Sequence, residues 1–288
     1  MKYVKFIPFY FMAILPFRTL YIISDFTFIL VYHIIKYRRE VVSTNLERAF
    51  PDKSKTERIR IEKRFYKHLC DVFFETIKSL TISGTQIDKR FIIKNSKMIE
   101  ELYAQNRSVI LYAAHYGNWE WLGFLPLFIP YQASAFYQKL SNKYFDDLMQ
   151  LIRSRFGVIC FESKDGYKKL VKLGNEKKPT FNYIIGDQSP TNNSSKHWVK
   201  FLNQETAFLV GADRIAKKLN NVIIFPTFLK HKRGKYELEF SFVTSTPNGT
   251  VSSEVIEAYS RMLEESILKS PELWLWSHRR WKLTRTNM

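Results

Sequence analysis

Cysteine is nearly absent: the 288 residues hold two, Cys70 and Cys160, far apart and without metal-binding spacing. That excludes a disulfide scaffold and a thiolate zinc cluster, and leaves two reduced packing residues of a cytosol-facing body. Acidic residues are also few, 27 against 45 Lys and Arg, for a net charge of +18 and a pI near 9.7. Such a surface calls for an anionic partner: nucleic acid, an anionic membrane surface or a phosphorylated substrate. No window of 18 clean apolar residues exists. Stretches 6–17 and 20–35 are apolar, but Pro8, Pro16, Arg18 and Asp25 interrupt them, so a simple spanning helix is not secured. No small-residue cleavage site comes after them, so a removed signal peptide is not expected. Internal repeats and low-complexity linkers are missing. So are helix-turn-helix, zinc and RNP signatures, and nucleic acid is therefore not expected as the anionic partner.

The residues that are present suit a folded, core-forming chain. Hydrophobic residues make up 45% and aromatics 16%, enough for one large domain or two small ones. The apolar first 37 residues end in Lys36, Arg38 and Arg39. This fits a segment that enters the bilayer and keeps the rest of the chain on the cytoplasmic, anionic side. A buried helical hairpin of a soluble protein would carry the same pattern. The expected organisation is an anchor at 1–37 and a single domain at 38–288. Ser54 and Glu57 form a capping box, and the helix it opens carries Ile61, Phe65, Leu69, Phe73 and Ile77 as one apolar stripe. Arg58, Arg60, Lys63, Arg64 and Lys67 take its other face, and Gly84 is the expected stop.

From residue 91 the pattern changes. Strands are expected at 91–94, 108–114, 134–138, 157–161, 180–186, 221–229 and 236–243. Helices fall between most of them, at 97–103, 118–127, 142–156, 166–173 and 207–219, with a last one at 251–268. This alternation predicts an α/β fold with a mixed, largely parallel sheet flanked by helices, and an antiparallel hairpin around the basic turn 230–234.

Within it, residues 108–124 read S-V-I-L-Y-A-A-H-Y-G-N-W-E-W-L-G-F. His115 stands where the buried strand should end, Gly117 permits a tight turn, Asn118 is a good N-cap and Glu120 falls in the first helical turn. The turn lets the carboxylate fold back onto the imidazole. A neutral imidazole oriented by a carboxylate is the minimum for taking a proton from a hydroxyl that the substrate brings. A core histidine beside an ordinary first-turn acid has the same spacing.

R-R-E-V-V followed by N-L-E-R-A-F-P, then H-Y-G-N-W-E, G-D-Q and P-E-L-W-L-W-S-H-R-R-W-K, resemble in order, over nearly the whole chain, the bacterial lipid A biosynthesis (lauroyl/myristoyl) late acyltransferases. That resemblance implies a glycerol-phosphate acyltransferase-like α/β fold. It also implies transfer of a fatty acyl chain from acyl carrier protein to a hydroxyl of a phosphorylated lipid A precursor, at the cytoplasmic face of the inner membrane, without cofactor or metal. The family's H-x4-D/E motif gives His115 and Glu120 the catalytic roles. Another lipid acceptor, and a non-catalytic basic membrane or nucleic-acid-binding protein, are the competing readings.

Further candidates are weaker. Asp187 and Gln188 end the strand at 180–186, where parallel sheets gather ligands, and the family has a similar D-Q pattern; a plain polar turn or loop cap is the alternative. Arg153 and Arg155 lie where the family carries an arginine, and a guanidinium suits an oxyanion or phosphate, though a solvated helix face is equally compatible. Asn118 is a candidate substrate contact. Trp274, Trp276, His278, Arg279, Arg280, Trp281 and Lys282 mix indoles with cations, as expected at a membrane interface or around phosphate headgroups.

Overall fold

The structure is a computed structural model describing residues 4–174, 178–251 and 253–285. Residues 1–3 of the expected anchor and residue 252 of the expected last helix lie outside them. Helices α1 (Ile7–Ile14) and α2 (Phe17–Ile29), the latter prolonged by a π-turn at Leu30–Ile34, lead to α3 (Arg39–Ala49). The long α4 (Lys55–Lys78) begins at Ser54 with the anticipated capping box. It stops at Lys78, and Gly84 opens a new short helix, α5 (Gly84–Asp88), rather than ending the old one.

The expected apolar stripe of α4 does not stay on one face. Phe65 is buried but Phe73 is 49% exposed. Steps of four residues advance about 40° past a full turn, so a stripe of five winds around the helix. Several polar side chains of α4 are buried in its place, among them His68, Asp71 and Glu75.

The remaining elements are β1 (Phe91–Ile93), α6 (Ser96–Ala104), β2 (Val109–Ala113), a 3-10 helix at Trp119–Leu127, β3 (Gln132–Tyr137), α7 (Lys143–Ser154), β4 (Ile159–Glu162), α8 (Ser163–Gly174), β5 (Thr180–Ile185), β6 (Lys196–Phe201), β7 (Gln204–Leu209), α9 (Gly211–Leu219), β8 (Val222–Lys232), β9 (Lys235–Thr244) and α10 (Glu254–Lys269). The described residues form a seven-stranded sheet in the order β1-β9-β8-β2-β5-β3-β4. Its strands are parallel from β8 to β4, while β9 runs antiparallel to β8 and parallel to β1. The fold is thus α/β with a mixed, largely parallel sheet. Residues 207–209, expected to open a helix at 207–219, instead complete a β6–β7 hairpin, and α9 starts at Gly211.

Every residue of β2 is buried, as a central parallel strand covered on both faces must be. Helix α2 buries Leu20, Ser24 and Phe28. Its other side exposes Ile22, Phe26 and Ile29; Phe11 and Ile14 of α1 and Ile34 of the π-turn are exposed as well. Among the described residues, Phe17–Ile34 is the stretch long and apolar enough, by length and composition, to cross a membrane.

One close contact governs the middle of the sheet. A Cβ at Gly186 would lie 2.1 Å from Tyr112. Tyr112 cannot retreat easily, because its ring is stacked 3.7 Å from that of Tyr259. Gly186→Ala should therefore destabilise the fold by about 1–3 kcal/mol, as overpacked cores do. Thermal unfolding of the purified protein measures this, and at this size each kcal/mol corresponds to roughly 2–4 °C.

Candidate active site

β2 and β5 are neighbours with Ala113 opposite Ile185. Two residues beyond that last pair, at the carboxyl ends of the strands, stand His115 and Asp187. The His115 backbone N–H donates to Asp187 Oδ2 at 3.1 Å, and Nδ1 lies 2.8 Å from Oδ1. The Trp274 indole N–H donates to Oδ2 at 2.8 Å. Burial pushes the Asp187 carboxyl up, but the imidazole beside it and the three N–H donors outweigh burial and hold it below its usual range. An ionised carboxylate only accepts, so the His115 proton sits on Nδ1 and the Nε2 lone pair is left available. Nε2 has the Gln188 side-chain amide at 3.4 Å, and the His115 side chain is 18% exposed.

Gly117 makes the turn possible. Its φ is +65°, and a Cβ there would sit 2.6 Å from Phe228. The C-terminal segment then pairs with the turn: Gly117 N–H donates to Leu273 O at 3.0 Å and Leu275 N–H to His115 O at 3.1 Å. Asn118 caps the 3-10 helix by accepting from the Trp121 N–H, as its position suggested.

Glu120 does not fold back onto the imidazole. The 3-10 helix turns it toward α7, where Arg153 grips it from Nε at 2.9 Å and from Nη2 at 2.7 Å. The Trp119 indole N–H adds a third bond at 3.1 Å, and its ring stands edge to face with His115, centroids 5.4 Å apart. Burial raises the Glu120 carboxyl, yet Arg153 outweighs burial and keeps it below its ordinary value; the carboxylate in turn raises the Arg153 pKa. The carboxylate that bonds the imidazole is Asp187, and Glu120 supports the neighbouring indole.

Of the two candidate arginines, only Arg153 reaches this site. Arg155 donates to Ser79 O at 2.5 Å and Ile82 O at 3.1 Å, tying α7 to the end of α4. Asn118 is fully buried with its amide on Glu75, so it faces no substrate. Arg280 is 2% exposed, donates to Ala207 O at 2.7 Å and lies over the Phe208 ring. Trp274, Trp276 and Trp281 are likewise core residues. Of that C-terminal run, only Arg279 and Lys282 are exposed. The role of Trp274 escaped sequence reading because indoles next to cations look interfacial. The signal that could have found it is the flanking pair Leu273 and Leu275. His278 accepts the Ser189 N–H at Nε2, 3.0 Å away.

A family model described as "Bacterial lipid A biosynthesis acyltransferase" matches residues 2–283. A lipid A biosynthesis acyltransferase of Haemophilus influenzae is 23% identical over 92% of this chain and 82% of its own length. A lipid A biosynthesis palmitoleoyltransferase of Escherichia coli is 22% identical over 86% of this chain and 80% of its own. A lipid A biosynthesis acyltransferase 2 of Shigella flexneri is 23% identical over 83% and 74%.

His278 generates a prediction. Burial chiefly, aided by Arg280, His115 and Lys282 against the pull of Asp187, lowers its pKa to about 4. The unfolded chain binds this proton near pH 6.5, so folded-state stability is complete above that value and is lost as pH falls toward 4. His278→Gln keeps an acceptor for Ser189 and removes the titration. Its thermal midpoint should fall less than that of the wild type between pH 7 and about pH 5.

Proposed function

The chain belongs to the bacterial lipid A biosynthesis acyltransferase family, and from that premise we propose that it transfers a fatty acyl chain from acyl carrier protein to a hydroxyl of a phosphorylated lipid A precursor, with His115 as general base. The observation that carries this reading is the 2.8 Å bond from His115 Nδ1 to Asp187, which leaves Nε2 as acceptor on a side chain that is 18% exposed. Nε2 takes the acceptor hydroxyl's proton while its oxygen attacks the thioester carbonyl carbon. The tetrahedral oxyanion then collapses, the C–S bond breaks, and the imidazolium returns the proton to the departing thiolate. Asp187 stabilises the imidazolium and holds its tautomer. The Gln188 amide, 3.4 Å from Nε2, serves the acceptor hydroxyl or the oxyanion as a donor. Glu120 and Arg153, as an internally neutral, part-buried pair, fix Trp119 against the ring.

The acidic surface of acyl carrier protein and the phosphates of the acceptor both suit a net charge of +18. The exposed apolar side of α1 and α2, followed by Lys36, Arg38 and Arg39, seats the protein on the cytoplasmic face of the inner membrane. Exposed Arg279 is available to a headgroup or acceptor phosphate.

Purified protein given an acyl carrier protein thioester and a lipid A precursor should yield a product heavier by one acyl chain in mass spectrometry. His115→Ala should lower turnover by about 10²–10⁴-fold while remaining folded. Unchanged lipid A in a deletion strain, with acylation of a lysophospholipid or another glycolipid instead, would move the reading to that acceptor.

Glu120→Gln keeps one acceptor for Arg153 and for the Trp119 N–H but leaves the guanidinium without its counter-charge. The expected loss is about 10-fold in turnover, smaller than for removal of the base, because the imidazole keeps its Asp187 bond. Steady-state kinetics of the two variants side by side checks the order.

A further inference from the structure

Glu75 of α4 is 1% exposed, and three side-chain donors converge on its carboxylate. Tyr21 of α2 donates to Oε1 at 2.9 Å. Asn118 Nδ2 and the Tyr236 hydroxyl donate to Oε2 at 2.7 and 2.9 Å. These donors come from three separate pieces: the apolar N-terminal helix, the turn between His115 and Glu120, and strand β9. Asn118 is held at both ends of its amide, since its Oδ1 accepts the Trp121 N–H at 3.3 Å. Where Asn118 sits therefore sets where the 3-10 helix starts, and with it Trp119 and Glu120. A second bond from α4 reaches the preceding residue. His68 Nε2 donates to Gly117 O at 2.9 Å, its tautomer set by Lys230, whose ammonium lies 3.2 Å from Nδ1.

The α2 side is tied to the same helix. Ser24 donates to Asp71 at 2.7 Å, and Arg233 bridges Asp71 and Asp25, with Nη2 2.6 Å from Asp71 and Nη1 2.9 Å from Asp25. Apolar packing alone would let α2 slide along α4, whereas directional bonds to buried carboxylates fix its register.

We infer that Glu75 is a positioning residue that couples the seating of α2 in the bilayer to the placement of Trp119 and Glu120 beside His115, through Tyr21 on one oxygen and Asn118 on the other. The coupling rests on the acyl-transfer reading above and on α2 meeting the membrane with Ile22, Phe26 and Ile29. Its reach is short, but misplacing catalytic groups by about 1 Å can cost about 10²-fold in rate. The groups facing Glu75 are Tyr21 from α2, Asp71 from α4, and Lys230 and Tyr236 from the β8–β9 hairpin, with Arg90 behind Tyr21. Burial, with Asp71 adding to it, raises the Glu75 carboxyl to about 7, while Lys230 and the two tyrosine bonds oppose the rise. Glutamine at this position therefore imitates its protonated form.

The test uses the full chain in detergent and in vesicles of phosphatidylethanolamine and phosphatidylglycerol. It reads turnover, KM and, without any substrate, the rate at which diethyl pyrocarbonate modifies His115, located by mass spectrometry. Wild-type labelling and turnover should differ between vesicle and detergent by about threefold or more. Tyr21→Phe keeps the ring and removes one link, and should bring the two conditions within about twofold. Glu75→Gln should lower turnover about 10-fold or more with KM little changed, and Tyr21→Phe should add nothing on top of it. Tyr236→Phe removes a bond of the same kind that does not reach α2, and should keep the vesicle response. Should Glu75→Gln fail to fold, the Tyr21→Phe and Tyr236→Phe pair still decides. A wild-type vesicle response retained by Tyr21→Phe, or additive Tyr21 and Glu75 effects, would overturn the coupling. Vesicle-dependent labelling without acyl transfer to any acceptor would uphold the coupling and remove the acyl-transfer reading. Transfer indifferent to vesicles would do the reverse.

Discussion

The rest of the structure depends on how one buried anion is satisfied. Asp187 is 3% exposed, and an ionised carboxylate at that depth is tolerable only when donors surround it. Its donors come from two places far apart in the sequence: the backbone and ring of His115 beyond β2, and the indole of Trp274 near the C-terminus. The three positions are mutually constrained. The imidazole has one orientation because the carboxylate has a second, independent anchor in the indole. The indole in turn is fixed because residues 273–275 pair with the turn after β2. Removing any one partner leaves a buried charge under-compensated, so orientation and stability are linked at this point.

Other sequence blocks converge on the same arrangement. Asn45 of the N-L-E-R-A-F-P stretch donates to Trp276 O at 2.8 Å and His278 O at 2.9 Å, and so clasps the segment that carries Trp274. Helix α4 supports the turn from the opposite side through Glu75 and His68. Around these bonds the β2 strand is buried throughout, which removes competing water and strengthens each polar contact. Glu120 and Arg153 form a second, separate ion pair. Their part is to brace Trp119 against the ring, and the imidazole takes its carboxylate from the next strand over.

Much of this is legible in the sequence. Buried parallel strands announce themselves as short apolar runs, so the pattern places β2, β5 and β8 within a few residues, while the alternation of β9 places it as the hairpin partner of β8. The strand-end rule alone brings Asp187 toward His115. Four things are not legible. The β6–β7 hairpin turns at Leu202 and Asn203 with φ of 48° and 64°, and leucine in that region hides the usual Asn-Gly signal. The segment 118–127 reads as a regular helix, but residues 119–127 wind as a 3-10 helix, which changes where Glu120 points, and spacing alone cannot reveal that. The buried polar side of α4 is invisible because Asp71 and Glu75 have partners far along the chain, in α2, the site turn and the β8–β9 hairpin. An aromatic-basic run likewise looks like a surface until its indoles prove to have buried acceptors, as Trp274 and Trp281 do.

The central claim is that the Asp187 carboxylate orients and charge-balances the His115 base. The most direct measurement is turnover of purified Asp187→Asn beside wild type, with thermal unfolding recorded on the same samples. Asparagine keeps an acceptor for the Trp274 N–H but offers the imidazole no negative charge. The account predicts a drop in turnover of about 10²-fold or more in protein that remains folded. Folded Asp187→Asn protein turning over within about threefold of wild type would contradict it.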